Sequence, residues 1–127
     1  MTTKKKLGIW MDHSTANLME YSTIFIETTT IKSDFTHQEK EETLNKSENI
    51  MHNKEQHLEM DYYKRLSAEI IKYDEVLLFG PTNAKVELFN ILNEDQRFKN
   101  IKIEVRPSDK LTDNQQVAFV RNYFTRL

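Results

Sequence analysis

Four consecutive apolar residues, Val76-Leu77-Leu78-Phe79, stand between the polar stretch Tyr73-Asp74-Glu75 and a Gly80-Pro81 pair. A run so short is too brief for a helix, and one so uniformly apolar fits a strand buried on both faces, as in a parallel sheet with helices above and below. Both faces of the strand therefore need cover, and amphipathic stretches on either side of it in the chain can supply it. Before the run, Leu58, Tyr62, Leu66 and Ile70 recur at four-residue spacing with Tyr63 and Ile71 beside them, while Glu59, Lys64, Arg65 and Glu69 lie off that stripe. After it, Pro81 suits the first turn of a helix that continues through Ala84, Leu88, Ile91 and Leu92 and stops near Asn93.

The remaining elements follow from the same patterns. Leu7 to Met11 is apolar but for Gly8, and after Asp12-His13-Ser14 a second run spans Ala16 to Tyr21. Two strands joined by a tight turn are predicted, with the Asp12 carboxylate accepting local backbone N–H groups. Thr23 to Ile31 alternates Ile24, Ile26, Thr28 and Thr30 against Phe25, Glu27 and Thr29, the pattern of a half-buried third strand. Ile101, Ile103 and Val105 alternate with Lys102 and Glu104 in a fifth strand ended by Pro107. Thr112 with Gln115 makes a capping box, and Val117, Val120 and Phe124 give a closing helix its buried stripe. The predicted class is α/β, one domain over residues 1–127 in the order βββαβαβα. Right-handed crossovers make it three layers, a five-stranded mixed sheet with helices on both faces. This is the element order of ribonuclease-H-like folds. The two glycines, Gly8 and Gly80, fall on strands expected to be neighbours, where close backbone approach would require them.

Between the third strand and the first helix, from about residue 32 to 55, periodicity vanishes into Glu, Lys, Asn, Thr, Ser and His, anchored by Phe35, Leu44, Ile50 and Met51. The segment is a long loop or a frayed helical excursion, and a loop of this length inside a compact domain is usually functional or disordered. The whole chain holds 18 Lys plus Arg against 20 Asp plus Glu, so bulk charge gives no argument for nucleic acid. Its distribution is more informative: residues 96–127 hold 7 basic and 3 acidic side chains. Arg97, Lys99, Lys102, Arg106, Lys110, Arg121 and Arg126 could form a basic face, joined by Lys4 to Lys6 if the N-terminus lies nearby. The absence of cysteine excludes disulfides, thiolate zinc sites and cysteine nucleophiles. No apolar run approaches the ~18–20 residues of a membrane span, so no membrane partner and a cytoplasmic location are expected.

Two stretches carry a family resemblance. Leu7-Gly8-Ile9-Trp10-Met11-Asp12-His13-Ser14-Thr15-Ala16-Asn17-Leu18 resembles the opening of the middle domain of class-one peptide-chain release factors from eukaryotes and archaea, where an apolar strand leads through Asp and a short turn to Ala. Val76-Leu77-Leu78-Phe79-Gly80-Pro81-Thr82-Asn83-Ala84-Lys85 resembles the strand-to-helix junction of that domain, of its Pelota-type relatives and of their bacterial counterparts. The polar segment sits where release factors carry a Gly-Gly-Gln loop. In element order the resemblance extends over almost the full chain and implies a stand-alone domain of bacterial type. One departure decides the chemistry: the polar segment contains no glycine, so the tripeptide is absent and peptide release is not implied. Pelota-type proteins likewise keep the domain without the tripeptide, a pattern of lost catalysis with retained ribosome binding.

Other chemistries fit less well. His37, His52 and His57 crowd the polar segment beside Glu55 and Glu59. His52 and His57, five apart, diverge by about 140° around a helix, so no metal-ligand set is assigned. A two-metal nuclease needs three converging carboxylates; Asp12 ends strand one and Glu59 or Glu69 lies on the first helix, but strand four ends Leu78-Phe79-Gly80-Pro81. Gly80 to Lys85 lacks the spacing of a nucleotide-binding loop, although a single phosphate could sit there.

The leading expectation is a catalytically silent, translation-associated module that binds the ribosome or structured RNA without a cofactor. Its anion or RNA contacts would come from Gly80, Pro81, Thr82, Asn83, Lys85, Arg106, Lys110 and Arg121, and its mobile contact loop from His37, His52 and His57. A metal-dependent phosphoesterase using Asp12, Glu59 and His52, and a homo-oligomeric scaffold, are the alternatives.

Overall fold

A computed structural model of the chain describes residues 4–33 and 48–125, with residues 48–57 described by backbone alone. Strands β1 (Lys6–Met11), β2 (Thr15–Glu20) and β3 (Glu27–Lys32) are followed by helix α1 (Glu48–Ile70), strand β4 (Glu75–Gly80) and helix α2 (Ala84–Asn93). A 3-10 turn (Gln96–Phe98), strand β5 (Lys102–Pro107) and helix α3 (Asp113–Thr125) complete the order. The strands form one sheet in the order β3-β2-β1-β4-β5. β1, β4 and β5 run parallel, while β1–β2 and β2–β3 are antiparallel. This is the predicted βββαβαβα arrangement, with β1 at the centre.

The alternation of side chains along β1 and β4 explains both apolar runs. Leu7, Ile9, Met11, Val76 and Leu78 face one layer, packed against Tyr62, Leu66 and Ile70 of α1 and Leu88 and Leu92 of α2. Trp10, Leu77 and Phe79 face the other, against Val120 and Phe124 of α3. A residue pointing either way meets a helix, so each position in the run is apolar.

The two glycines serve different ends. Gly8 lies under α3, where a Cβ would overlap the Val120 side chain. Gly80 has φ +152°, in the region L-residues rarely adopt, and a Cβ there would run into the Met11 carbonyl of β1. The strands that carry them are neighbours as expected, although Gly8 stands opposite Leu77 and Gly80 opposite Pro107.

Helix α1 begins at Glu48, so the last part of the polar segment takes the helical of its two alternatives, and His52 and His57 stand on a helix. Helix propensity and tertiary support for the later turns can carry a helix beyond its apolar stripe. Three local expectations need correction. β3 begins at Glu27 rather than Thr23, leaving Ile24 and Phe25 exposed. As the edge strand it lies beyond most of the helical cover, and of its six residues only Ile31 is partly buried. Pro81 lies in a bend before α2, which starts at Ala84 with Asn83 as its N-cap. Ile71, placed beside the apolar stripe, is 41% exposed just past the end of α1. No helix among the described residues is long and apolar enough to cross a membrane.

Candidate functional site

The sequence-predicted anion contacts are not gathered on one groove. At the β4–α2 junction Gly80 is buried, Thr82 is half-buried, and Pro81 and Asn83 are exposed. Lys85, which the sequence places in solvent or on an anion, is instead buried, and its amine donates to the Thr82 carbonyl. The Thr82 hydroxyl accepts from the Ala84 N–H at 3.2 Å. These bonds tie the Thr82 and Lys85 groups of the junction to its own backbone.

The basic residues of β5 have a different setting. Ile103 and Val105 turn toward α1 and α2, so the period-2 alternation places Lys102, Glu104 and Arg106 on the α3 face of an edge strand. There they border a groove of about 630 Å³ shared with Lys6, Glu75, Phe119, Asn122 and Tyr123. Three cations and two carboxylates therefore stand around one concavity with aromatic rings in its wall. Lys6 Nζ sits 5.8 Å from the Tyr21 ring centroid and 5.9 Å from that of Phe124. Arg106 lies 5.2 Å from the Tyr123 ring and 3.3 Å from a Glu104 carboxylate oxygen. Hydrogen bonding from Tyr123, and then the Arg106 guanidinium, hold the Glu104 carboxyl below its ordinary range. Burial, followed by that same bond, pushes the Tyr123 hydroxyl up to about 12. Phe119 stacks on Phe79 with centroids 4.4 Å apart, which fixes that wall of the groove to the core.

Lys110 and Arg121 are exposed but do not line this groove, and Arg97 is held by Asp95 at 2.7 Å. The N-terminal lysines do approach the basic strand, through Lys6. Of the three histidines assigned to a contact loop, His37 lies outside the described residues, and His52 and His57 lie on the α1 backbone, their side chains outside the described part.

Of the trio considered for metal-dependent chemistry, Asp12 acts as the expected turn-former. Its carboxylate accepts from the Ser14 N–H at 2.8 Å and the Thr15 N–H at 2.7 Å. The Tyr62 hydroxyl donates to the Asp12 carbonyl at 3.0 Å and fastens the turn to α1. That turn presents His13, not Asp12, to the helices. His13 Nε2 lies 3.1 Å from Glu87 Oε2 of α2, and the Tyr63 hydroxyl donates to Glu87 Oε1 at 2.8 Å. Burial raises the Glu87 pKa, but the bonds from His13 and Tyr63 outweigh it and leave the carboxyl lowered on balance. Glu59 of α1 completes the group, and one ligand atom from each of His13, Glu59 and Glu87 lies within 4.8 Å of the others.

Sequence reasoning missed His13 and Glu87. The available signal was topological: parallel β1 and β4 end side by side, so the turn after one meets the helix after the other.

No family model and no curated protein matches the sequence. Solved structures do match it. Pelota from Archaeoglobus fulgidus superposes with a TM-score of 0.63 at 9% identity, over 95% of this chain and 32% of that one. Pelota from Thermoplasma acidophilum gives 0.59 at 14% identity, over 96% and 32%. The archaeal translation termination factor aRF1 gives 0.63 at 13% identity, over 97% and 35%. The chain thus spans about a third of the length of each and shares with that third its fold.

Proposed function

We propose that this domain is a translation-associated binding module without peptide-releasing activity, whose contact with ribosomal or other structured RNA is made by the groove between β5 and α3. The observation that carries the reading is the fold, shared over 95–97% of the chain with two Pelota proteins and with a translation termination factor. The groove adds the chemistry. Lys6, Lys102 and Arg106 suit phosphates, and Phe119 and Tyr123 offer ring surface to an unstacked base. Glu75 and Glu104 reduce the net local charge to +1, so affinity should be modest and the salt dependence that of at most three phosphate contacts. Absence of Gly-Gly-Gln removes the group that the release-factor resemblance would require for ester hydrolysis.

Co-sedimentation with ribosomes tests the reading. The chain should pellet with ribosomes at low salt and be released at moderate salt, and Lys102→Glu with Arg106→Glu should keep it in the supernatant. A chain that stays in solution at the lowest salt contradicts the proposal.

A further inference from the structure

The cluster at the β1–β2 turn lies beside α1 and α2, in the opposite helical layer from the groove, and binding of RNA gives it no task. Its ligand atoms lie close enough together for a small side-chain adjustment to place them around one metal ion. Around a tetrahedral ion with bonds of ~2.0–2.2 Å, neighbouring ligand atoms stand about 3.3–3.5 Å apart. His13 Nε2 and Glu87 Oε2 are already 3.1 Å apart, and the Glu59 carboxylate falls within 4.8 Å of both. Each ligand comes from its own element, the turn, α1 and α2. We propose that His13, Glu59 and Glu87 bind a divalent first-row transition-metal ion.

The surrounding bonds orient these groups as outer-shell partners orient metal ligands. Tyr63 holds Glu87 Oε1, the oxygen that does not face His13, leaving Oε2 beside the imidazole. Asp12 and Tyr62 fix the turn that carries His13. Asp12 Oδ1 is engaged by the turn, and Asp12 does not belong to the grouped ligand atoms. One imidazole and two carboxylates favour zinc, manganese or iron over calcium or magnesium, which take oxygen ligands. Three protein ligands leave coordination positions for water. The inference goes beyond the RNA-binding reading and uses different residues, so either can fail alone.

Isothermal titration of the full chain with Zn²⁺ tests it. One ion should bind per chain. His13→Gln and Glu87→Gln should each weaken binding by about 100-fold or more, and Tyr63→Phe, which removes an outer-shell partner, by about 10-fold. A variant with His37, His52 and His57 all changed to Gln controls for the other histidines and should bind as the unsubstituted chain does. Thermal unfolding gives a second readout: Zn²⁺ should raise the midpoint of the unsubstituted chain and leave that of His13→Gln unmoved. Absence of one-to-one binding overturns the assignment. So does unchanged affinity in His13→Gln, or loss of binding in the triple-histidine variant alone.

Discussion

Gly8 and Gly80 test how the centre of the sheet is closed, because each excludes a methyl group for a different reason. The nearest atoms to a Cβ on Gly8 are those of the Val120 side chain, whereas those nearest to one on Gly80 are the Met11 backbone oxygen, carbon and nitrogen. Overpacking a core costs about 1–3 kcal/mol. Gly8→Ala should therefore lose about that much, with α3 shifting outward. Gly80→Ala adds backbone strain of about 1–3 kcal/mol at φ +152°, for a total of about 2–6 kcal/mol. Against a typical domain stability of ~5–15 kcal/mol, the first variant stays folded and the second approaches the unfolding threshold. Relief should differ as well. Val120→Ala removes the methyls that obstruct Gly8→Ala, so the double variant should be more stable than additivity predicts by about 1 kcal/mol or more. No side chain can be trimmed to relieve Gly80→Ala. Urea denaturation followed by circular dichroism measures all four variants. A loss below ~1 kcal/mol for Gly80→Ala, or strict additivity between positions 8 and 120, would refute the account of the strand contacts.

Three further outcomes are expected. Tyr62→Phe deletes the donor to the Asp12 carbonyl and should cost about 1–2 kcal/mol in the same urea experiment. Gln116 is 3% exposed, accepts from Asn17 at 2.7 Å and donates to the Leu111 carbonyl at 3.0 Å; Gln116→Ala should cost about 1–3 kcal/mol, and a neutral result would show that these bonds do not hold α3 to β2. Glu87, whose pKa is lowered below 4.5 in the folded chain, contributes stability that is complete above that value and lost as pH falls through the folded pKa. Glu87→Gln should accordingly flatten the fall in unfolding free energy below about pH 4.5, and parallel curves for the two proteins would contradict the sign.

The layered α/β class was legible because local pattern and global architecture agree at β1 and β4. A continuous apolar run required cover on both faces, and the amphipathic stripes of α1 and α3 provided it. The Thr112–Gln115 capping box was equally readable, since the Thr112 N–H donates to Gln115 Oε1 at 2.9 Å and Gln115 N–H to Thr112 Oγ1 at 3.2 Å. Edges were not. β-branched residues at Ile24 and Thr28 indicate a strand but not how much of it finds a covering layer. The start of α1 at Glu48 carries no apolar periodicity to read. At the site, the sequence identifies Lys102 and Arg106 as basic, but their shared direction toward α3 depends on the register of β5. His13 and Glu87 are 74 positions apart, and only the pairing of β1 with β4 brings them together.

Lysine acetylation footprinting on ribosome-bound chain tests the central claim most directly, because it reads which surface is covered. Lys6 and Lys102 in the groove should be protected, while Lys64, exposed on α1, should react as it does in the free chain. Equal reactivity at all three with ribosomes bound, or protection of Lys64 in place of Lys6 and Lys102, would contradict the assignment of the groove as the binding surface.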